Sequence, residues 1–396
     1  MSAFAITALT LVSAIGRGLT ATEAALRDGR GGLAPCDFAG LSLDTYIGRV
    51  PGIEDVPVVR ELMAYDCRNS RLAQMALRTD GFEEAVRRAI SRYGRGRIGV
   101  IIGTTSSGIQ EAERAYAERG AETGPLRSAF QFEYSQSHYS TTDFVRRYLG
   151  LHGPAFTVST ACSSSSKVFV DAQQLLGADV CDAVVVGGVD SLCWISLCGF
   201  HSLQLLSTLP CRPADARRDG LSIGEAAGFA LIERAAAGAD RAIVQLLAGG
   251  ESCDAHHMSA PHPEGLGAAL AMQRALAQAH IEPADVDYIN LHGTGSPAND
   301  RAEDLAIRSV FGPGKPCSST KGWTGHTLGA AGMTEVAISA LALLHGFLPG
   351  NLNLQAPDPE FTQEIVRHTR QAPLRCVLSN SFGFGGTNCS LILAAT

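Results

Sequence analysis

The chain has 396 residues, 45% of them hydrophobic and 18% charged, which is enough apolar mass for one large or two medium domains and excludes a disordered, charge-rich polymer. Its 32 basic and 39 acidic side chains leave a net charge of −7, which argues against nucleic-acid binding carried by bulk charge. The 11 cysteines are odd in number, scattered, and form no CxxC pair, so a disulfide scaffold and zinc-finger spacing are excluded and a reducing cytoplasm fits.

The opening residues, 1–18, are apolar but lack the basic start of a signal peptide, and read as a first strand followed by a glycine turn. A helix is expected over Thr20–Arg27, with Thr20 and Glu23 at capping-box spacing and Gly29 as its stop. Helical periodicity follows at Ser70–Leu77 and Phe82–Tyr93. The glycines of Gly94-Arg-Gly-Arg-Ile-Gly99 then match GxGxxG, but they end a helix and open a strand, the reverse of a dinucleotide site. Strands are expected at Ile98–Ile102, Phe156–Val158, Ala183–Val186, Ala227–Ile232, Ile243–Leu247, Tyr288–Leu291, Cys376–Asn380 and Ser390–Leu393, several of them apolar throughout, as in sheets buried on both faces. Between them lie helices at Ile109–Glu118, Ser163–Leu176, Leu266–Ala279, Asp300–Val310 and Gly329–Leu344. This alternation predicts a layered α/β fold. Beyond the N-terminus no apolar run of 18 residues stands out, so no membrane span is expected.

An internal echo runs through the chain. Phe156-Thr-Val-Ser-Thr160 leads into one apolar helix, Cys317-Ser-Ser-Thr320 leads through a longer loop into another, and each is followed by a strand and a Gly-rich turn. Two βα halves are expected, residues 1–245 and 246–396.

Three segments carry chemistry. Cys162, in Ser159-Thr-Ala-Cys-Ser-Ser-Ser-Ser166, stands between a strand and a helix N-terminus, where free N–H groups and the helix dipole favour a thiolate and can hold an oxyanion. The residue could equally be a buried cysteine at a Ser-rich cap. His292 follows a strand in Asn290-Leu-His-Gly-Thr-Gly-Ser296, and His326 precedes a long helix in Ser319-Thr-Lys-Gly-Trp-Thr-Gly-His326. Loops at one edge of an α/β sheet converge, so these three can share a pocket, although each histidine also fits a satisfied core position. Lys321 lies five residues before His326, and Asp300 and Glu303 follow His292 on the next helix; Lys321–Glu303 reads as a charge pair, catalytic or structural. Asp254-Ala-His-His-Met-Ser-Ala-Pro-His262 has no second ligand set and reads as a loop of buried or partly solvated histidines, with no metal expected. Gly383-Phe-Gly-Gly-Thr-Asn388 lets backbone N–H groups approach a ligand, with Phe384 as a gate; a tight hairpin is the competing account.

Together these segments resemble the β-ketoacyl-acyl carrier protein synthases, elongating condensing enzymes of the thiolase superfamily. The resemblance rests on Thr160-Ala-Cys-Ser-Ser164, His292-Gly-Thr-Gly-Ser-Pro297, Thr320-Lys-Gly-Trp-Thr-Gly-His326 and Asn380-Ser-Phe-Gly-Phe-Gly-Gly-Thr-Asn388. It implies a thiolase-like αβαβα five-layered fold made of two duplicated halves, usually dimeric. It implies Cys162 as acyl-accepting nucleophile, His292 and His326 as the pair assisting malonyl decarboxylation, and Lys321 and Glu303 as paired charges behind them. Phe384 and Cys162 would supply the oxyanion-hole N–H groups, Thr294 and Ser296 would hold a phosphopantetheine arm, and Phe382 and Ser106 would stand against the substrate. That arm arrives on an acidic acyl carrier protein as substrate, with no cofactor implied; Arg68, Arg71 and Arg127 are the candidate docking cations. The chain would work as a homodimer or beside a chain-length-type subunit.

Departures from the family pattern are Ala226 and Asn299 at positions where glycine is usual, and Lys167, two turns into the nucleophile helix. Asp66-Cys-Arg-Asn-Ser-Arg-Leu72 and Gly103-Thr-Thr-Ser-Ser-Gly108 are similar to the ketosynthases of aryl-polyene clusters. A degradative thiolase would need a second cysteine paired with histidine near the C-terminus, and Cys389 has no such neighbour. A non-catalytic chain-length partner would lack the nucleophile.

Overall fold

In the computed structural model, residues 4–119, 124–126, 130–234 and 241–396 are described. The first half runs β1 (Phe4–Ser13), α1 (Leu19–Asp28), α2 (Arg68–Leu77), α3 (Phe82–Tyr93), β2 (Ile98–Gly103), α4 (Ile109–Ala117), α5 (His138–Leu149), β3 (Ala155–Val158), α6 (Ser164–Gly177), β4 (Ala183–Asp190), α7 (Trp194–Ser202) and β5 (Ala226–Arg234). The second runs β6 (Val244–Cys253), α8 (Leu266–Ala279), β7 (Tyr288–Asn290), α9 (Pro297–Phe311), β8 (Pro316–Ser318), α10 (Lys321–Thr324), α11 (Ala331–His345), β9 (Cys376–Phe382) and β10 (Thr387–Ala394).

The strand order shows the duplication. In the first half β3, β2, β4, β5 and β1 lie side by side, the first two pairings parallel and the next two antiparallel. In the second, β8, β7, β9, β10 and β6 repeat that order and those directions. Among the described residues the two sheets touch edge to edge where Phe4–Ile6 of β1 meets Val244–Leu246 of β6. In both halves a parallel βαβ run sets the nucleophile-bearing or histidine-bearing loop at strand C-terminal ends.

Side chains alternate along the strands between two cores, which is why those strands are apolar throughout. Val184 and Val186 of β4 face one cluster and Ala183 and Val185 another; Leu391 and Leu393 of β10 face the first while Ile392 faces a third. The shared middle cluster is filled by α1, α6 and α11, the second by α2, α3 and α5, and the third by α8 and α9. The result is five layers, helix, sheet, helix, sheet, helix. α3 shows how an outer helix is written: Phe82, Ala85, Val86 and Ala89 are buried, Glu83 and Glu84 sit at its N-terminal turn, and Arg92 sits at its last turn. α11 is buried almost all round, as a middle-layer helix must be.

Several expectations are corrected. Thr20 and Glu23 form no capping box: α1 starts after Gly18, with Thr22 Oγ1 donating to the Gly18 carbonyl, while Gly29 does close the helix at φ 71°. α5, α7 and α10 are helices where none is expected: α7 is apolar and aromatic with no polar face and α10 is a single turn, whereas α5 is amphipathic, with Phe144 and Val145 buried. The stretch Leu328–His345 is long and apolar enough to cross a membrane, with mean hydropathy 1.4, yet it is 89% buried as the central helix of the fold. In the Asp254–His262 loop, read as carrying buried or partly solvated histidines, His262 is half-buried and His256 and His257 are exposed.

Candidate active site

β3 ends at Val158, and the chain turns into α6 through Ser159–Ser163. Serine hydroxyls fasten that turn: Ser163 Oγ donates to the Thr160 carbonyl at 2.8 Å, and Ser164 Oγ accepts from the Thr160 N–H at 2.9 Å. Ala161 takes a left-handed φ of 52°. Cys162 follows at the head of α6, 6% exposed. The serine run is therefore a turn device as well as a cap, which agrees with the strand–helix reading of this motif.

His326 arrives from the other half. Its N–H donates to the Ser222 carbonyl at 2.7 Å, and its carbonyl accepts from the Gly224 N–H at 2.9 Å, so first-half backbone clamps the second-half histidine. Its Nε2 lies 3.0 Å from Cys162 Sγ. Its Nδ1 is buried and has no hydrogen-bond partner among the described residues. His292 stands beside it, ring centroids 5.4 Å apart and nearly perpendicular. Cys162, His292 and His326 each place one ligand-type atom within 4.8 Å of the other two.

Lys321 is 2% exposed behind His292. Its Nζ donates to the His292 carbonyl at 2.5 Å, lies 3.4 Å from His292 Nδ1, and forms an ion pair with Glu335 of α11. The expected Lys321–Glu303 pair is thus replaced by Lys321–Glu335. Glu303 instead braces the His292 loop. Its carboxylate accepts from the His292 and Gly293 N–H groups, both at 2.8 Å, and from Asn380 Nδ2 at 3.1 Å. Sequence reading missed Glu335, although the signal was there. It is an acid within a helix that is otherwise apolar, and such a group must find a buried partner.

Burial dominates the proton affinities. Burial, then the Lys321 charge, holds His292 and His326 well below the usual imidazole range, so both are neutral at pH 7. Burial pushes the Cys162 thiol up to about 11, against the pull of Lys321 and of the Phe384 N–H directed at its sulfur. This corrects the expected resting thiolate: the helix terminus does not outweigh desolvation, and the resting site is a thiol beside a neutral imidazole.

A cavity of about 390 Å³ opens onto these groups, lined by Cys162, His292, His326, Thr294, Ser296, Phe382 and Phe384, with Phe200 and Leu203 of the α7 end. Thr294 Oγ1 and Ser296 Oγ are 3.0 Å apart on its wall. Phe384 stacks 5.5 Å from Phe200. Gly383 must be glycine: a Cβ there would stand 2.7 Å from the Thr160 carbonyl and 3.2 Å from the Cys162 nitrogen. That close approach brings the backbone before Phe384 against the Cys162 N–H.

Other expected residues fall elsewhere. Ser106 does not line the cavity; its N–H and Oγ both donate to Asp190, at 3.0 and 2.9 Å. Asp190, fully buried at the end of β4, also accepts from the Thr104 and Thr105 hydroxyls and from the N–H of Gly329, just past His326. Arg68 is locked on the buried Glu225, and Arg71 makes a double hydrogen bond to Asp66, so neither is a free docking cation; Arg127 lies outside the described residues. Cys389 is fully buried and away from the cavity, with its thiol pushed up by burial, which removes the degradative-thiolase reading of it. All 11 cysteines are free.

A cysteine at a helix head in one half of a duplicated five-layer fold, facing two neutral histidines from the other half, defines a thiolase-fold acyl-transfer site. The chain belongs to the beta-ketoacyl synthase family: the N-terminal domain of that family matches residues 65–237 and its C-terminal domain residues 244–355. It is 39% identical to a 3-oxoacyl-[acyl-carrier-protein] synthase 2 of Rhizobium meliloti over 74% of this chain and 73% of that one. It is 30% identical to the Vibrio harveyi protein of the same name over 98% and 97%. Among solved structures, a chain of the ketosynthase–chain length factor complex from Xenorhabdus doucetiae superposes with a TM-score of 0.88 at 37% identity, covering 100% of this chain and 98% of that chain.

Proposed function

We propose that the chain is a 3-oxoacyl-acyl carrier protein synthase, joining an acyl group held on Cys162 to malonyl-acyl carrier protein with loss of CO₂. The observation that carries the reading is the 3.0 Å contact between Cys162 Sγ and His326 Nε2, with His292 against the same point. The named relatives support the reaction class.

The chemistry follows from the proton positions. In the first step His326 Nε2 takes the Cys162 proton as sulfur attacks the carrier-bound thioester. The tetrahedral oxyanion sits between the Cys162 and Phe384 N–H groups. As it collapses, the carrier's C–S bond breaks and its sulfur receives the proton from His326, leaving acyl-Cys162 and a neutral imidazole. In the second step the carboxylate C–C bond of malonyl thioester breaks, CO₂ departs, and the electron pair forms an enolate. His292 donates from Nε2 to its oxygen, and His326 does so after its ring proton has moved from Nδ1 to Nε2 by exchange with water in the cavity. The enolate carbon then attacks acyl-Cys162, a C–C bond forms, the C–S bond breaks, and the Cys162 sulfur takes the proton from His326 Nε2, with one proton drawn from solvent over the whole reaction.

The two histidines are prepared differently for these roles. Lys321 donates toward His292 Nδ1, which puts the ring proton on Nε2 and makes His292 a fixed donor. His326 has no such partner on Nδ1 among the described residues, so it can accept from Cys162 in one step and donate in the next.

The phosphopantetheine arm would run along Thr294 and Ser296, and acyl carrier protein would be the partner at the cavity mouth. A dimer is part of the proposal, either of two copies or with a chain-length-type subunit. β3 is an outer strand with a partly exposed face, and structural relatives include complexes of ketosynthase with chain length factor. Intact-mass analysis after incubation with acyl-carrier thioesters tests the reading: an acyl adduct must appear on Cys162 and disappear when malonyl-carrier protein is added. Absence of the adduct with saturated, aryl and polyene starters alike would refute it, and the starter that loads fastest identifies the pathway.

A further inference from the structure

Cys162, His292 and His326 form more than a nucleophile with two donors. A tetrahedral zinc or cobalt ion takes sulfur at about 2.3 Å and imidazole nitrogen at about 2.0–2.1 Å, which puts its ligand atoms about 3.5 Å apart. The three side chains here, with their closest atoms 3.0 Å apart and all within 4.8 Å, need only small adjustments to reach that geometry. The adjoining cavity would leave a fourth position open. Thiol and imidazole are also the ligand types that thiophilic divalent cations prefer.

The arrangement behind His292 opposes metal binding. A metal-bound histidine passes its second ring N–H to a carboxylate or carbonyl, which frees the first nitrogen for the ion. Here His292 Nδ1 meets the Lys321 ammonium at 3.4 Å, and the Glu335 carboxylate stands on the far side of that ammonium. The order is imidazole, ammonium, carboxylate, where a metal site has imidazole, carboxylate. A donor at Nδ1 fixes the proton on Nε2, the nitrogen an ion would need bare, and it adds a positive charge next to the site.

We propose that Lys321 is a metal-excluding residue: it holds a nearly complete Cys–His–His ligand set in a form that rejects zinc and related cations, and its removal turns the pocket into a metal site with Glu335 as the outer acceptor. This role depends on the geometry of these five side chains and is the same whichever thioester the enzyme uses.

Cobalt(II) titration of the full-length protein tests it, read by the thiolate-to-cobalt charge-transfer absorption. Wild type is expected to show no stoichiometric band. Lys321→Met is expected to bind one equivalent at least roughly 100-fold more tightly, the upper range of outer-shell effects on metal affinity. Adding Cys162→Ser or His292→Ala to that variant must abolish the band. Lys321→Gln serves if the methionine variant does not fold. A second measurement needs no variant: zinc is expected not to protect wild-type Cys162 from iodoacetamide. Stoichiometric protection of the wild type, or a folded Lys321 variant with wild-type cobalt affinity, overturns the proposal.

Discussion

The two halves share one plan and use it for different ends. In the first, β3 turns into α6 through a five-residue loop and delivers a single reactive group, Cys162, at the head of the helix. In the second, β8 reaches α11 through a longer loop that folds its own short helix, α10, and delivers Lys321 and His326. The loops after β2 and β7 are matched in another way. Each offers consecutive backbone N–H groups to a buried carboxylate: Thr105 and Ser106 to Asp190, His292 and Gly293 to Glu303. Only the second of these loops carries a side chain that faces the sulfur. Duplication thus supplied two equivalent frames, and the division of labour lies in which side chain each frame presents.

If that division holds, removing the first half's one group must cost the most. Cys162→Ala is expected to lower condensation by roughly 10³-fold or more, as loss of a covalent nucleophile does. Malonyl decarboxylation is expected to persist, because the proposed mechanism assigns it to second-half groups. Product mass spectrometry alongside CO₂ release separates the two, and condensation at the wild-type rate would show that the nucleophile lies elsewhere. Conversely, His292→Ala is expected to lose roughly 10²–10⁴-fold in decarboxylation while Cys162 still acquires an acyl group. His326→Ala is expected to slow both steps, since His326 lies 3.0 Å from the sulfur and, in the proposed mechanism, donates to the enolate. Equal effects of the two histidine variants on acyl loading would erase the distinction between them.

The carboxylates sharpen the comparison at a smaller scale. Asp190→Ala leaves three backbone N–H groups and three hydroxyls without their acceptor, and is expected to destabilise the fold by about 3–5 kcal/mol. Glu303→Gln keeps the shape but turns an amide toward donors, and is expected to reduce decarboxylation by roughly 10–100-fold with a smaller change in melting temperature, because it shifts His292. Denaturant unfolding and CO₂ release together check both, and the comparison fails if Asp190→Ala proves as mild in stability as Glu303→Gln.

Much of the fold was legible because burial on both faces writes itself as uninterrupted apolar runs, as in Ala183–Val186. The strand ends carried glycines wherever backbone had to pass closely, Gly383 being the clearest. Cys162 and His292 were legible as loop residues after strands, and His326 as a loop residue ahead of a long helix. What was not legible were pairings across the chain. Lys321 stands 18 residues after Glu303 and 14 before Glu335, and sequence distance says nothing about which one it meets. Ser106 was misplaced for the same kind of reason: nothing local signals that Asp190 takes its hydroxyl. The capping box failed because Gly18, with φ 96°, already turns the chain into α1 before Thr20.

The imidazoles also set a pH limit. Both have folded-state proton affinities below the usual 6.5, so the unfolded chain binds protons first as pH falls. Their contribution to stability is therefore present above about pH 6.5 and is lost progressively below it. Replacing His292 by Gln is expected to flatten the acid side of the stability curve, measured by urea midpoints between about pH 7 and 5; an unchanged slope would mean that the imidazole is not held neutral.

The smallest effect is expected where the two central helices differ most. Each carries a lysine–carboxylate ion pair. α11 holds Glu335 against Lys321 with both side chains 2% exposed, whereas α6 holds Lys167 against Glu251 with side chains 20% and 31% exposed. Water already solvates part of the α6 pair, so its charges gain little from meeting, and Lys167 supplies mainly its aliphatic stem to the surface of the middle layer. Lys167→Met is expected to cost no more than about 1 kcal/mol, and a double-mutant cycle with Glu251→Gln should show a coupling of that size or less. Breaking the α11 pair by Glu335→Ala should instead cost about 3–5 kcal/mol, because the ammonium left behind cannot reach water. Should the two pairs prove equally strong, the depth of the second pair would have no bearing on stability, and Lys321 would owe its place entirely to the orientation of His292.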